Sequence, residues 1–101
     1  MNLTDFKKLR ATERSDIVQM ESCSLKILSW AALKDSNCSV RCWAVENHNC
    51  PPKALIAVLK KESFAYIRFW AVHNPACPAE AHIIALTDTA ENVRQAAAEK
   101  I

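Results

Sequence analysis

Apolar residues recur at intervals of three and four along most of this chain, a spacing that places them on one face of an α-helix. Ile67, Trp70 and Ala71 give one clear example. A second apolar stripe runs through residues 53–61 and, in a related form, through residues 79–87, each following a proline. Proline suits the first turn of a helix, because the N–H that it lacks has no partner there. The pattern therefore predicts an all-α chain in which two kinds of helix alternate.

The arrangement of polar and apolar positions is itself repeated. Residues 35–51 read DSNCSVRCWAVENHNCP and residues 62–78 read ESFAYIRFWAVHNPACP, and the two stretches align without a gap. A third copy begins at Asp88 and carries its arginine at Arg94. The acidic residue that opens each copy recurs after 27 and then 26 residues. A period of this length is typical of stacked helical repeats, because one helix pair alone cannot bury its apolar face.

Polar residues at fixed places in the repeat predict where the helices begin and end. Ser36, Ser63 and Thr89 follow the acid and are predicted N-caps, since their hydroxyls can accept backbone N–H groups of the first turn. Asn47 and Asn74 are predicted to end the helices that begin there. Because the chain contains no glycine, asparagine is the expected residue for a left-handed helix end.

These signals predict a single helical-repeat domain over residues 1–101. Its parts are an N-terminal capping helix in 1–21 with Thr4 at its start, a partial unit in 22–35, full units in 36–62 and 63–88, and a terminal half unit in 89–101. Short connections favour antiparallel neighbouring helices. The predicted architecture is a short right-handed α-solenoid of stacked antiparallel helix pairs.

Composition narrows the class of protein. Hydrophobic residues make up 50% of the 101 residues and the net charge is +2, which fits one small domain and does not by itself indicate a nucleic-acid partner. The absence of glycine excludes P-loops and glycine-rich dinucleotide-binding turns. The longest apolar run, residues 54–59, is too short to cross a membrane, and the N-terminus lacks the apolar core of a secretion signal. We therefore expect a cytoplasmic chain without a membrane partner, in which the five cysteines are reduced.

The repeat resembles known helical-repeat families. An acid, a Val-Arg pair six residues further on and an apolar helix resemble the HEAT/armadillo class. The phrase RFWAVHNP at residues 68–75, followed by Pro78, resembles bacterial leucine-rich repeat variant units more closely. The resemblance covers residues 22–101 and implies a non-catalytic scaffold. Some members of the variant family hold an iron–sulfur cluster through cysteines near the N-terminus. Only Cys23 lies upstream of the repeats here, so no cluster or other cofactor is expected.

One arginine recurs in each unit, and the ladder has two interpretations. The members are Arg41, Arg68 and Arg94. They can form a row of phosphate contacts along a groove. Alternatively, as the resemblance implies, each pairs with one of the recurring acids and ties neighbouring units together. The acids are Asp35, Glu62 and Asp88. Because acid and arginine recur together, we favour the internal ladder.

Further basic residues are candidates for contact with a partner or with nucleic acid. Lys53, Lys60 and Lys61 join the three arginines in that set. A solvated helix face is the simpler explanation of the lysines. Trp43 and Trp70 fall on the apolar helix face, and we predict core packing for both rather than an aromatic binding surface.

Few residues suggest chemistry. A zinc ion could in principle gather Cys38, Cys42, His48 and Cys50, but no tight cysteine pair of the usual spacing is present. No nucleophile–base arrangement can be assembled from spacing, so no catalytic residue and no metal ligand is assigned.

The sequence thus predicts a non-catalytic protein–protein interaction scaffold. The alternative is a DNA- or RNA-binding helical repeat that uses a basic face, and a metal- or cluster-bearing repeat is the less favoured third hypothesis. Since the last helix in residues 89–101 lacks a partner helix, we also expect either a homodimer through this end unit or a chain that needs a partner there.

Overall fold

Eight α-helices and no β-strand form the described part of the chain, which is residues 1–100 of a computed structural model. The helices are α1 (Leu3–Lys7), α2 (Ala11–Val18), α3 (Leu25–Lys34), α4 (Cys38–Glu46), α5 (Pro52–Lys61), α6 (Ala65–His73), α7 (Ala79–Ala85) and α8 (Glu91–Glu99). The predicted all-α class is confirmed. The predicted terminal half unit ends at residue 101, which lies outside the described residues.

The helices pack in two rows. In the first row α2, α4, α6 and α8 contact one another in that order, and in the second row α1, α3, α5 and α7 do the same. Consecutive helices of the two rows also pack together, as α3 does with α4 and α5 with α6. The two kinds of helix in the sequence pattern therefore correspond to the two rows. The described residues extend 38 by 21 by 16 Å, an elongated shape.

The core lies between the rows and uses the same repeat positions in successive units. Val40, Ile67 and Val93 each precede a ladder arginine, and each is fully buried. Leu28 and Leu55 are fully buried from the second row. Burial of such aliphatic side chains contributes roughly 1.5–3 kcal/mol each, so the repeated apolar positions are the main source of stability. No helix within residues 1–100 has the length and apolar character needed to cross a membrane.

The first-row helices α4, α6 and α8 each begin one residue later than predicted. Their N-caps are Asn37, Phe64 and Ala90, in place of the predicted Ser36, Ser63 and Thr89. The acid two positions before each N-cap accepts the N-cap N–H with its carboxylate, at 2.9, 3.2 and 2.9 Å in chain order. The first-turn contact predicted for the hydroxyls is made in α4 by the Asn37 side chain, which accepts the N–H groups of Ser39 and Val40. The N-cap residues of α6 and α8 form no side-chain cap hydrogen bond.

Asn47 and Asn74 end α4 and α6 as predicted, but not in the predicted conformation. Their φ and ψ angles are −64° and 128°, and −63° and 128°, which is extended backbone. No residue among 1–100 has a positive φ. The helices end here because the asparagine side chains bind backbone groups outside their own helix.

Residues 1–21 form two helices rather than one capping helix. The first helix, α1, is capped by the side chain of Asn2 rather than starting at Thr4. The second, α2, packs on α4 and so is a member of the first row. The stack of helices therefore starts earlier in the chain than the sequence repeat indicates. At the other end, α7 stops at Ala85, two residues before its predicted end.

Candidate functional site

The recurring arginines link one repeat to the next through a fixed set of contacts. The Nε of Arg41 lies 2.8 Å from the Glu62 carboxylate, and its Nη2 lies 3.4 Å from the second oxygen. Its Nη1 donates to the backbone carbonyl of Asp35 at 2.9 Å. One guanidinium thus holds the turn before its own helix and the turn before the next first-row helix.

Arg68 repeats this geometry one unit further on. Its Nε and Nη2 bind the Asp88 carboxylate at 2.8 and 3.0 Å, and its Nη1 donates to the Glu62 carbonyl at 2.7 Å. The side chains of Arg41 and Arg68 are only 14% and 11% exposed. Bidentate pairs with this geometry are among the stronger polar contacts in proteins. In this structure the guanidinium groups of Arg41 and Arg68 therefore face carboxylates, as the internal-ladder interpretation requires.

A further member of this ladder, Arg14, was missed from the sequence. Its Nε and Nη2 bind the Asp35 carboxylate at 2.8 and 3.2 Å, and its Nη1 donates to the carbonyl of Leu9. The signal was present, because Arg14 precedes Asp35 by 21 residues, the same interval that separates Arg41 from Glu62. The helix around Arg14 lacks the other repeat residues, and the interval alone did not stand out.

Arg94 holds the last position of the ladder and differs from the others. Its Nη1 donates to the carbonyl of Asp88 at 2.7 Å, the contact that Arg68 makes with Glu62. No carboxylate of residues 1–100 forms an ion pair with Arg94, whose side chain is exposed. The guanidinium of Arg94 is thus oriented like that of Arg68, but no carboxylate of residues 1–100 is paired with it.

The ladder also sets the charge state of Asp88. Burial alone would raise the pKa of this carboxyl. The hydrogen bonds from Arg68 and from the Ala90 N–H, together with the positive charges of Arg68 and Arg94, outweigh burial and hold the pKa below its usual value of 3.8. Asp88 is therefore a carboxylate at neutral pH.

A second ladder is built from the asparagines that end the first-row helices. The Nδ2 of Asn74 donates to the carbonyls of Val45 and Asn47 at 2.7 and 2.9 Å, and its Oδ1 accepts the N–H of Ala76 at 2.8 Å. Asn47 makes the matching contacts one unit earlier, to the carbonyls of Val18 and Met20 at 2.8 and 3.1 Å. Asparagine is suited to this position because its amide both donates and accepts.

The candidate lysines do not form one cluster. All three are exposed, with Lys53 in the first turn of α5 and Lys60 and Lys61 in its last turn. Eight residues of helix separate Lys53 from Lys61, or roughly 12 Å along the axis. Lys61 lines a groove of about 410 Å³ together with Lys34 and Arg41. The groove also contains Glu62, so it is of mixed charge.

Aromatic side chains are more exposed than predicted. Trp43 is 42% exposed, so the prediction that it packs in the core is wrong. Val40 and Ala44 lie on the buried face of α4, whereas Trp43 lies on its outer face. Trp70 is half-buried and contacts the ring of Phe69 at a centroid distance of 5.2 Å.

Two exposed aromatic side chains lie side by side at the start of α6. Phe64 and Tyr66 are both exposed, and their ring centroids lie 5.6 Å apart. The Cζ of Arg41 lies 5.8 Å from the centroid of the Phe64 ring, within the range of cation–π attraction. We call Arg41, Phe64 and Tyr66 the aromatic patch. The repeat does not predict this patch, because Asn37 and Ser39 stand at the positions that match Phe64 and Tyr66.

The thiols of Cys42, Cys50 and Cys77 are protonated and weakly reactive. Burial raises the pKa of Cys50 to about 12 and that of Cys77 to about 11. The pKa of Cys42 rises to about 12, through burial first and then the nearby Glu46 carboxylate. Thiols of this kind are poor nucleophiles and poor metal ligands at neutral pH. Within the described part of the chain, no group of three or more His, Cys, Asp or Glu side chains could hold a metal ion.

The geometry brings together the recurring arginines and acids, and the aromatic patch beside them. It does not gather the cysteines and His48 of the zinc hypothesis into one site. His82 is half-buried on α7, and its Nε2 has no hydrogen-bond partner among residues 1–100.

Comparison of the chain with protein-family models, with curated proteins and with solved structures finds no match.

Proposed function

We propose that this chain is a non-catalytic protein–protein interaction scaffold, built as a short right-handed α-solenoid of HEAT-like helix pairs. The two rows of helices and the contacts that recur from unit to unit support this architecture. The repeat phrase supports a relationship to leucine-rich repeat variant units. A stack of this kind offers long rigid surfaces, on which binding depends on exposed side chains.

The observation that carries this function is the aromatic patch. Tryptophan, tyrosine and arginine are enriched among the residues that contribute most of the binding energy of protein interfaces. Phe64 and Tyr66 expose two adjacent rings, and the guanidinium of Arg41, which is paired with Glu62, lies 5.8 Å from the centroid of the Phe64 ring. Contiguous exposed apolar surface is a common feature of interaction sites, whereas single exposed apolar side chains are normal on any protein.

Affinity capture with matched variants tests this proposal. The double variant Phe64→Ala/Tyr66→Ala should lose the specific protein partner that the wild type retains. Leu25→Ala is the control, because Leu25 is an exposed apolar residue on α3. Capture of the same proteins by all three forms would contradict a role for the aromatic patch.

A second candidate function is nucleic-acid binding through a basic face. The groove lined by Lys34, Lys61 and Arg41 is the feature that favours it. Titration of labelled duplex DNA and of unstructured RNA over a salt series tests it, because phosphate contacts weaken steeply with salt. Salt-sensitive binding that falls in Lys34→Gln/Lys61→Gln would favour this function over the scaffold. Flat titrations at low salt would remove it.

Assembly and location complete the proposal. We propose a homodimer in which two copies meet through the C-terminal end of the stack, where α7 exposes Ile83 and Leu86. We also propose a cytoplasmic location, where the free cysteines stay reduced.

A further inference from the structure

The C-terminal end of the stack repeats an interior contact with one component missing. Within the described residues, Arg41 and Arg68 each bind a backbone carbonyl of the preceding turn and a carboxylate of the following unit. Arg94 makes the first contact, at 2.7 Å to the Asp88 carbonyl, but pairs with no carboxylate of residues 1–100. Its guanidinium is therefore held in the orientation that binds an acid in the interior.

The helix beside Arg94 carries an apolar face of the kind that a further helix covers inside the stack. Counted from the prolines that precede α5 and α7, Ile56 and Leu59 correspond to Ile83 and Leu86. Leu59 is 6% exposed where α7 packs on α5. On α7 the counterparts Ile83 and Leu86 are 63% and 38% exposed.

We propose that the α7–α8 end binds an amphipathic helix of a separate protein, and that an Asp or Glu just after this helix pairs with Arg94. The apolar side of the bound helix covers Ile83 and Leu86, so that Leu86 becomes buried like its counterpart Leu59 on α5. Its acid takes the place that Asp88 holds at Arg68. This inference rests on the proposed scaffold function and specifies the chemistry of one partner.

The sequence argues against a second copy of the chain stacked head to tail in this place. The acids of the ladder stand six residues before Arg41, Arg68 and Arg94. The residue six positions before Arg14 is Lys8. A second copy continuing the stack would bring Lys8 toward Arg94, and two like charges in contact repel. Head-to-tail stacking of a second copy therefore does not supply the acid.

A peptide of known geometry can serve as the probe. Residues 78–90 of this chain contain α7 and Asp88, the segment that makes this contact at Arg68. A fluorescein-labelled synthetic copy of residues 78–90 is titrated with the full 101-residue protein, and binding is followed by fluorescence anisotropy. We expect saturable binding that weakens at least about tenfold in Arg94→Gln, and as much when the peptide carries Asp88→Asn, because a charge-assisted pair is lost.

Controls and a charge exchange make the test decisive. Arg10→Gln removes an exposed arginine at the opposite end of the chain and should leave the peptide affinity unchanged. The protein variant Arg94→Glu combined with a peptide carrying Asp88→Lys should recover binding that either change alone abolishes. No saturable binding, or binding that is indifferent to Arg94, would overturn the inference. A protein dimer that dissociates in Arg94→Gln would also overturn it, because a second copy would then supply the acid.

The proposed scaffold function and this inference are contradicted by different results. If Arg94 has no effect on the peptide but Phe64→Ala/Tyr66→Ala still loses its captured partner, only this inference is removed. If the aromatic patch has no effect on any partner while the peptide binds through Arg94, the inference stands and the aromatic patch is not the interface.

Discussion

Single carboxylates serve two structural purposes in this protein. Asp88 receives the guanidinium of Arg68 and also accepts the N–H of Ala90 at the start of α8. Glu62 and Asp35 combine the same two contacts one and two units earlier, respectively. Each acid therefore fixes the start of a helix and the distance to the preceding unit at the same time.

The depressed pKa of Asp88 leads to a prediction about acid stability. Since its folded-state pKa lies below 3.8, the carboxylate contributes stability that is present above about pH 4 and is lost as the pH falls through the folded-state value. We expect Asp88→Asn to lower the free energy of unfolding at pH 7 by about 1–3 kcal/mol. The difference from the wild type should narrow below about pH 4.

Urea unfolding at pH 7, 4 and 3 measures this pH dependence. Asp16→Asn is the matched control, because Asp16 is exposed and takes part in none of the ion pairs among residues 1–100. A constant difference between Asp88→Asn and the wild type across these pH values would show that the charge of Asp88 is irrelevant.

The buried amide of Asn74 leads to a second prediction at this scale. Asn74→Ala leaves the carbonyls of Val45 and Asn47 without their donor, and we expect a loss of about 2 kcal/mol in the free energy of unfolding. Asn92→Ala, at an exposed position on α8, should change it by less than about 0.5 kcal/mol. Thermal or urea unfolding compares the two, and equal effects would contradict the asparagine ladder.

The sequence predicted which residues recur but not all of their contacts. Arg41 and Arg68 pair with recurring acids as predicted, because two charged residues that repeat together indicate a shared contact. The predicted pair of Arg94 is not formed among residues 1–100. The amide contacts of Asn47 and Asn74 span 27 to 29 residues, and no local rule anticipates a partner at that distance. The prediction that Asn47 and Asn74 end their helices in the left-handed conformation depends on a local rule, and it is wrong.

At the scale of helices, periodicity and proline positions were reliable guides. They predicted α5 and α6 nearly to the residue, since the apolar positions of these helices face one core. They failed for α2, which has the ladder arginine but neither the WAV phrase nor the closing asparagine. Its place in the first row depends on packing against α4.

Capping of α3 gives a prediction at this scale. The hydroxyl of Ser24 accepts the N–H of Ile27 at 3.2 Å. We expect Ser24→Ala to lower the free energy of unfolding by about 1 kcal/mol, because this N–H then lacks its acceptor. Ser22→Ala, in the preceding turn, is the control and should have little effect. The same loss from both variants in urea unfolding would contradict the cap.

At the scale of the whole molecule, the two ends of the stack differ. The N-terminal end is covered by α1, which buries Phe6 against the second row. The C-terminal end exposes Ile83 and Leu86 next to Arg94. Among residues 1–100, the exposed large apolar side chains at this end lie on α7.

The proposed homodimer is tested by sedimentation equilibrium. We expect dimers at the upper end of a range from about 1 to 500 μM, and a monomer throughout for Ile83→Glu, because a buried charge disfavours the contact. Leu25→Glu, at a distant exposed site on α3, should still form the dimer. A wild-type monomer at every concentration would contradict the dimer. The amphipathic helix proposed above would also cover Ile83 and Leu86. We therefore expect the peptide of residues 78–90 to dissociate the dimer.

The central claim is that paired arginines hold neighbouring repeats together and that Arg94 is oriented in the same way without an acid. Comparison of Arg68→Gln with Arg94→Gln in urea unfolding tests it most directly. We predict a loss of about 2–3 kcal/mol for Arg68→Gln, which leaves Asp88 unpaired. For Arg94→Gln we predict a change below about 0.5 kcal/mol. Equal losses in the two variants, or none in Arg68→Gln, would contradict the account.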